Sequence, residues 1–156
     1  RVASILANRG SAGQPRLLLS KNDPLSCEPE ELNNKKNTRN LHINTEAMDR
    51  VIRAMTAVMS SPRGTARMSG RRSAYSIAGK TGTAQVIAIA QGEEYDEDSL
   101  KEEFRDHALF IAFAPVENPK IAIAVVVENG GSGAGVAAPV ARKVLDHFFL
   151  KALERA

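Results

Sequence analysis

The residues of this chain best suited to chemistry are Lys80, Thr81, Gly82 and Thr83, which are consecutive in the sequence. The residues around them are typical of a β-strand, and we predict a strand over residues 76–89 that glycines interrupt. Side chains of a strand alternate between faces, and a strand at a sheet edge leaves backbone groups free. A lysine cation, a hydroxyl and open amides can then converge on one ligand. The pattern predicts a sheet edge that binds a carboxylate.

A phosphate-binding loop is the competing interpretation of Gly79, Lys80 and Thr81, because such loops end in Gly-Lys-Ser/Thr. The first glycine of that motif would fall at position 74, where the chain has Ala74. The motif also requires a helix directly after it, whereas residues 83–87 continue the strand pattern. A nucleotide-hydrolysing function is therefore disfavoured, and only micromolar nucleotide binding would favour it.

A second glycine-rich stretch, residues 130–135, follows a predicted strand and precedes a predicted helix, as a dinucleotide-binding site does. Val136 stands where the third glycine of that motif belongs. Only one helix follows, so no second parallel strand can complete the unit. We predict that this stretch is a tight turn that lets the last helix fold back over the sheet.

The other candidate sites are weaker. His107 beside Asp106 could form a catalytic or metal-binding pair, but a lone histidine at the start of a strand more often has a structural role. The acidic residues within 93–106 lack the glycine-punctuated spacing of a calcium loop, so we predict a solvated connection. Cys27 is the only cysteine, which excludes an internal disulfide and a multi-cysteine metal site. Nothing in the chain calls for a metal or an organic cofactor.

The composition limits the class of protein. The chain has 156 residues, of which 43% are hydrophobic, enough for one core but not for two sizeable domains. The formal net charge is +3. Basic residues are concentrated in residues 35–72 and acidic residues in residues 93–106. Only Tyr75 lies near the basic stretch, so the aromatic side chains on which bases stack are missing. We predict no nucleic-acid partner.

Two helices are predicted before Lys80. The first lies at the start, where Val2, Ile5 and Leu6 have helical spacing. Because this pattern begins at the second residue and no initiator Met precedes it, we expect the chain to be a piece of a longer protein. Residues 21–40 lack hydrophobic periodicity and are predicted to be a loop or insertion. The second helix begins after Asn44, and its expected buried face consists of Met48, Val51, Ile52, Met55, Val58 and Met59.

The residues after Lys80 predict two further strands and a helix. The strands cover residues 107–114 and 120–127, and the short connection between them has the turn residues of a hairpin. The last helix has Pro139 in its first turn. Its expected buried side consists of Val140, Ala141, Val144, Leu145, Phe148 and Phe149. Consecutive strands with helices at both ends predict an α+β fold, in which helices cover an antiparallel sheet.

Three stretches, residues 77–85, 106–115 and 127–133, resemble the transpeptidase domain of class B penicillin-binding proteins. The Lys-Thr-Gly triplet is one of three motifs of such proteins and of serine β-lactamases. The resemblance implies a β-lactamase/transpeptidase-like fold, with residues 1–156 as the C-terminal portion of the domain. This portion would contribute three strands and the C-terminal helix. The remaining strands and the Ser-x-Asn motif would lie upstream.

The nucleophile motif of that family, Ser-x-x-Lys, is absent, because no serine of the chain has a lysine three residues later. Ser20, Lys21 and Asn22 match Ser-x-Asn. They lie closer to Lys80 than the usual separation implies, and we interpret the match as accidental. The nucleophilic serine is therefore expected upstream, and this chain alone is expected to be inactive.

The resemblance implies a role for each residue of the strand. Lys80 would supply positive potential for the terminal carboxylate of a D-Ala-D-Ala stem peptide, and Thr81 would hydrogen-bond that carboxylate. Gly82 would let the acyl donor approach the backbone, and the N–H of Thr83 would belong to the oxyanion hole. The implied reaction is a serine-dependent D,D-transpeptidation that cross-links peptidoglycan through an acyl-enzyme.

Partners and a location also follow from the resemblance. The partners would be peptidoglycan stem peptides, β-lactam antibiotics and proteins of the cell-elongation machinery. The location would be the periplasmic face of the inner membrane of a Gram-negative bacterium, with a membrane anchor upstream of this chain. The alternative is a non-catalytic β-lactam-sensing or binding domain of the same fold.

Overall fold

The computed structural model describes residues 1–14, 20–21, 30–31, 38–86 and 101–153. None of the helices in these ranges is long and apolar enough to cross a membrane. The helices and strands in chain order are α1 (Val2–Ala7), β1 (Ser11–Ala12), β2 (Ser20–Lys21), β3 (Glu30–Glu31), β4 (Arg39–Asn40), α2 (Thr45–Ser60), α3 (Arg67–Gly70), β5 (Ala78–Ala84), β6 (His107–Ala114), β7 (Ile121–Val127) and α4 (Ala138–Leu153). A 3₁₀ turn at Glu102–Phe104 precedes β6, and a π-helical turn at Gly133–Ala137 precedes α4.

Helix α2 forms where the sequence predicts it. The side chain of Asn44 accepts a hydrogen bond from the N–H of Ala47 at 3.0 Å and so caps the helix. Glu46 lies in the first turn, where a negative charge complements the helix dipole. The residues of the expected face that are buried are Met48, Ile52, Met55 and Met59, whereas Val51 is exposed and Val58 is partly buried.

The central sheet is antiparallel in the order β5, β6, β7, and the predicted hairpin joins its last two strands. The prediction for β5 was too long at its start, because the strand begins at Ala78 and not at residue 76. Ser76 instead accepts a hydrogen bond on its side-chain oxygen from the N–H of Val116 at 2.8 Å. The strand ends at Ala84, and residues 87–89 of the predicted strand lie outside the described residues.

Two clusters of buried side chains lie on opposite faces of the sheet, because successive residues of β6 point to opposite sides. On one face, Phe110 packs with Met59 of α2, Leu145 of α4 and several alanines. On the other face, Phe113 packs with Met55 of α2. Buried side chains therefore pack against both faces of β6.

The predicted buried side of helix α4 is confirmed in part, since Ala141 and Leu145 are buried. Pro139 lies in its first turn, as expected. The buried side of α4 is rich in small residues, which pack in one cluster with alanines of β6. The hydrophobic pattern of the sequence does not show whether the alanines or the valines of α4 face the sheet. The buried residues are Ala138, Ala141 and Leu145, whereas Val140, Val144 and Phe148 are exposed and Phe149 is partly buried.

The stretch predicted as a loop, residues 21–40, contributes to two short antiparallel pairs. Strand β1 pairs with β4, with Ser11 opposite Asn40, and β2 pairs with β3, with Ser20 opposite Glu31. Two-residue strands are too short to show a period in the sequence, which explains why the prediction missed them. Residues 22–29 and 32–37 of that stretch lie outside the described residues, and so do residues 93–100 of the acidic connection.

Candidate active site

Residues 80–83 lie on an edge strand of the described sheet. Strand β5 pairs with β6 along its length, from Ala78 opposite Phe113 to Ala84 opposite His107. Its other side pairs with no strand of the described residues. An edge strand directs alternate backbone N–H and C=O groups away from the sheet. The strand therefore offers backbone hydrogen-bonding groups to a ligand.

Lys80 and Thr81 bring their polar groups together on this edge. The Lys80 side chain is exposed, and its Nζ donates to the backbone oxygen of Thr81 and lies 3.5 Å from the Thr81 Oγ1. The ion pairs between described residues do not include Lys80. Its positive charge is therefore available to an anionic ligand.

A further hydroxyl, which the sequence did not identify as part of a site, comes from the connection between α2 and α3. The Thr65 Oγ1 lies 3.4 Å from the Thr81 Oγ1. Gly64 approaches the end of α2 so closely that a Cβ there would lie 2.4 Å from the oxygen of Val58. The N–H of Ala66 donates to the same oxygen at 3.1 Å. A Gly-Thr pair in a turn is too common to indicate a site in a sequence.

Close contacts support β5 from behind. A Cβ at Gly79 would lie 2.5 Å from Cζ of Phe110 and 3.1 Å from Sδ of Met59, so the strand rests on the core. A Cβ at Gly133, where the π-helical turn begins, would lie 2.5 Å from the backbone oxygen of Gly82. Only glycine allows these approaches. The glycine-rich stretch thus brings the last helix over the sheet, as predicted, and packs against the strand of the site.

Asp106 and His107 have structural partners. The Nδ1 of His107 accepts a hydrogen bond from the N–H of Asn129 at 3.0 Å. Asp106 is buried, its backbone oxygen accepts from the N–H of Gly131 at 2.8 Å, and its Oδ1 accepts from the N–H of Val86 at 3.3 Å. These bonds connect the ends of all three strands of the sheet. Within the described residues, no cluster of side chains is suited to hold a metal ion.

The combined arrangement is suited to bind a carboxylate. One ammonium group and two hydroxyls can donate to the same anion, and hydrogen bonds to a charged acceptor are shorter and stronger than neutral ones. Thr83 is exposed further along the same strand. A backbone N–H at that position could donate to an oxyanion that develops next to the bound carboxylate.

The chain matches a protein family over residues 1–146, and that family is described as the penicillin binding protein transpeptidase domain. The matched residues include strand β5, the whole central sheet and most of α4. The chain is 37% identical over 151 residues to the peptidoglycan D,D-transpeptidase MrdA of Haemophilus influenzae. This alignment covers 95% of the chain and 22% of the relative. The chain thus spans less than two thirds of the relative's length.

Solved structures give similar matches. Penicillin-binding protein 2 of Pseudomonas aeruginosa, solved in complex with WCK 5153, is 39% identical with a TM-score of 0.62, and the match covers 95% of this chain and 28% of that one. Penicillin-binding protein 2 of Helicobacter pylori, solved in complex with MreC, is 29% identical with a TM-score of 0.60, and the match covers 77% of this chain and 21% of that one. Both matches support the α+β fold that the sequence predicts.

Proposed function

The chain belongs to the penicillin binding protein transpeptidase domain family, and from this premise we propose that residues 1–156 are the C-terminal portion of a peptidoglycan D,D-transpeptidase. Its relatives are of the class B type and include penicillin-binding protein 2. One observation supports the proposal most directly. An exposed Lys80 and the hydroxyl of Thr81 share an edge of the sheet, and no described carboxylate is paired with the lysine.

In the proposed complex, the donor stem peptide lies along β5. The ammonium group of Lys80 attracts the terminal carboxylate of D-Ala-D-Ala, and the Thr81 hydroxyl donates to it. Gly82 has no side chain that would keep the acyl donor from the backbone. The N–H of Thr83 then stabilises the oxyanion of the tetrahedral intermediate.

The proposed reaction is acyl transfer through a serine that lies outside this chain. The serine oxygen attacks the D-Ala-D-Ala carbonyl, the C–N bond breaks, and the proton of the serine ends on the amine of the departing D-alanine. An amine of a neighbouring stem peptide then attacks the ester, so that an amide cross-link forms and the serine is released. A β-lactam acylates the same serine, because its strained amide replaces the scissile bond.

The relatives also support a partner protein and a location. The Helicobacter pylori relative was solved with MreC, which supports a partner of this kind for the protein that contains this chain. Cross-linking of peptidoglycan takes place outside the inner membrane, so we propose the periplasmic face as the location. The residues proposed here to hold the donor peptide need no metal or organic cofactor for that role.

Labelling with penicillin tests the proposal. The full-length protein should form a covalent adduct with labelled benzylpenicillin, and digestion should locate the label on a serine outside residues 1–156. Residues 1–156 alone should give no labelled band on a denaturing gel. An adduct on this chain, or no adduct on the full-length protein, would contradict the proposal.

A second measurement separates an enzyme from a β-lactam sensor of the same fold. Given a D-Ala-D-Ala donor and an amine acceptor, the full-length protein should release D-alanine and form the cross-linked product. Penicillin labelling without any product in this assay would favour the sensor.

A further inference from the structure

A network of polar side chains joins α4 to the segment that precedes β5. Arg142 of α4 donates from Nη1 to the backbone oxygen of Ser69 at 2.7 Å and to that of Arg71 at 3.1 Å. Its Nε donates to Oδ1 of Asp146 at 2.8 Å. The hydroxyl of Tyr75 donates to the same Oδ1 at 2.7 Å. The network thus connects α4 to the backbone of residues 69 and 71 and to the side chain of Tyr75.

The network is largely shielded from water, since the side chains of Arg142 and Asp146 are 17% and 31% exposed. Burial and the neighbouring Asp146 raise the pKa of Tyr75 above its ordinary value. Burial also acts to raise the pKa of Asp146, but hydrogen bonds from Arg142 and Tyr75 outweigh it and hold that pKa below its ordinary value. Asp146 is therefore a carboxylate at neutral pH, and the hydrogen bonds that it accepts from Arg142 and Tyr75 are charge-assisted.

Arg142 holds the end of the short helix α3. The last carbonyls of a helix have no partner inside it, and the fixed fork of a guanidinium can donate to two of them. Gly70, between the two bonded carbonyls, lies so close to α2 that a Cβ would be 2.1 Å from the oxygen of Met59. Residues 69–71 are therefore held between α2 and α4.

The same segment carries Thr65. The N–H of Gly70 donates to the oxygen of Ala66 at 3.1 Å, and the N–H of Arg67 donates to that of Gly64 at 3.2 Å. Residues 64–70 thus form one hydrogen-bonded unit, from which the Thr65 hydroxyl comes to 3.4 Å from the hydroxyl of Thr81. A displacement of residues 69–71 would therefore move a hydroxyl at the site.

We propose that Arg142 is a positioning residue for the carboxylate site, because it fixes the unit from which Thr65 offers a second hydroxyl to the bound carboxylate. Thr65 is then a contact residue, and Arg142 acts through it. This inference rests on the proposed function, since it takes the ligand to be the carboxylate that Lys80 and Thr81 bind. Among the described residues, the side chain of Arg142 donates to residues 69, 71 and 146 and to none of β5.

The test compares benzylpenicillin with its methyl ester, which lacks the anionic carboxylate. The measured quantity is the second-order rate constant for acylation of the full-length protein. Thr65→Val keeps the shape of the side chain but removes the hydroxyl, and should lower the rate with the free acid about tenfold, as expected for one hydrogen bond to a charged group. Arg142→Gln should lower it about three- to tenfold. With the ester, both variants should react at the wild-type rate.

The double variant Thr65→Val with Arg142→Gln shows whether the two residues act together. Effects of residues in one network are not additive. The double variant should therefore react no more slowly with the free acid than the slower single variant does. A loss equal to the product of the two single losses would overturn the proposal, and so would an equal loss with the ester, which indicates a general structural defect.

Two further variants complete the test. Lys143→Gln removes an exposed cation next to Arg142 on the same helix and should leave the rate unchanged.

If Arg142→Gln does not fold, Tyr75→Phe takes its place, because it removes one hydroxyl from the network. It should give a loss of about two- to threefold, restricted to the free acid. A wild-type rate in folded Tyr75→Phe would overturn the proposal, whereas a wild-type protein that does not react with penicillin would instead contradict the proposed function.

Discussion

Two cationic side chains of this chain, Lys80 and Arg142, differ in their exposure and in their hydrogen-bond partners. Lys80 lies exposed on the edge of β5, and its ammonium group hydrogen-bonds only to oxygens of Thr81 among the described residues. Arg142 is 17% exposed and donates to a carboxylate and to two backbone carbonyls. The charge of Arg142 is thus satisfied inside the protein, while the charge of Lys80 is open to a ligand.

Internal partners distinguish a cation that positions other residues from a cation that binds a ligand. A cation that is largely shielded from water is costly when it lacks a partner, so removal of the Asp146 carboxylate should destabilise the fold. An exposed cation without an internal carboxylate contributes little to the stability of the fold. The two residues should therefore differ in the quantity that their removal changes, which is ligand chemistry for Lys80 and chain geometry for Arg142.

The substitution Lys80→Ala should have a stronger effect than the other substitutions, and it tests directly whether the charge of Lys80 serves a ligand. In the full-length protein it should slow acylation by penicillin about 10²- to 10³-fold, the usual effect of removing one preorganised electrostatic contact. The midpoint of thermal unfolding should stay unchanged. Lys120→Ala, which removes another exposed lysine, is the matched control and should acylate normally. Near-normal labelling of Lys80→Ala would remove this residue from the site.

The support behind β5 gives the next effect in size. Gly133→Ala would place a Cβ 2.5 Å from the backbone oxygens of Gly82 and Leu109, and backbone cannot move aside as a flexible side chain can. We expect a loss of about 1–3 kcal/mol in the free energy of unfolding, as for an overpacked core, together with slower acylation. Denaturant unfolding measures the first quantity and penicillin labelling the second.

Gly135→Ala is the control for this prediction. A Cβ at Gly135 would come no closer than 3.4 Å to Ser132, which is close to ordinary van der Waals contact. This variant should therefore remain near wild type in both measurements. If Gly133→Ala is as stable and as reactive as Gly135→Ala, the turn does not support β5. The position of Lys80 would then not depend on this contact.

The same two regions show what the sequence could predict. The three strands of the central sheet and α2 follow from hydrophobic period and turn residues, and β6 has the predicted bounds of residues 107–114. The α+β class and the strand that carries Lys80 could therefore be predicted from the residues alone. The start of β5 was harder to predict. The N–H of Val116 donates to the side chain of Ser76, and the strand propensity of a residue does not indicate such a bond.

The Arg142 network and Thr65 were not predicted. Arg142 and Ser69 are 73 residues apart, and Thr65 and Thr81 are 16 apart, so each contact depends on tertiary packing. The i, i+4 spacing of Arg142 and Asp146 was visible but is equally typical of an exposed helix surface. The predicted buried side of α4 was wrong in part for a related reason: Ala141 and Leu145 are buried as predicted, but Val140, Val144 and Phe148 are exposed.

A weaker effect should come from removal of the carboxylate partner of Arg142, and this effect should depend on pH. The folded-state pKa of Asp146 is depressed, so its contribution to stability is present above the unfolded pKa and is lost as the pH falls through the folded pKa. Asp146→Asn should therefore lower the free energy of unfolding by about 1 kcal/mol near pH 7, and the difference from wild type should shrink below about pH 4. Urea unfolding across this pH range measures the difference. A gap that stays constant down to about pH 2 would show that the ionisation of Asp146 does not stabilise the fold, and the contrast between a satisfied Arg142 and an open Lys80 would lose its electrostatic basis.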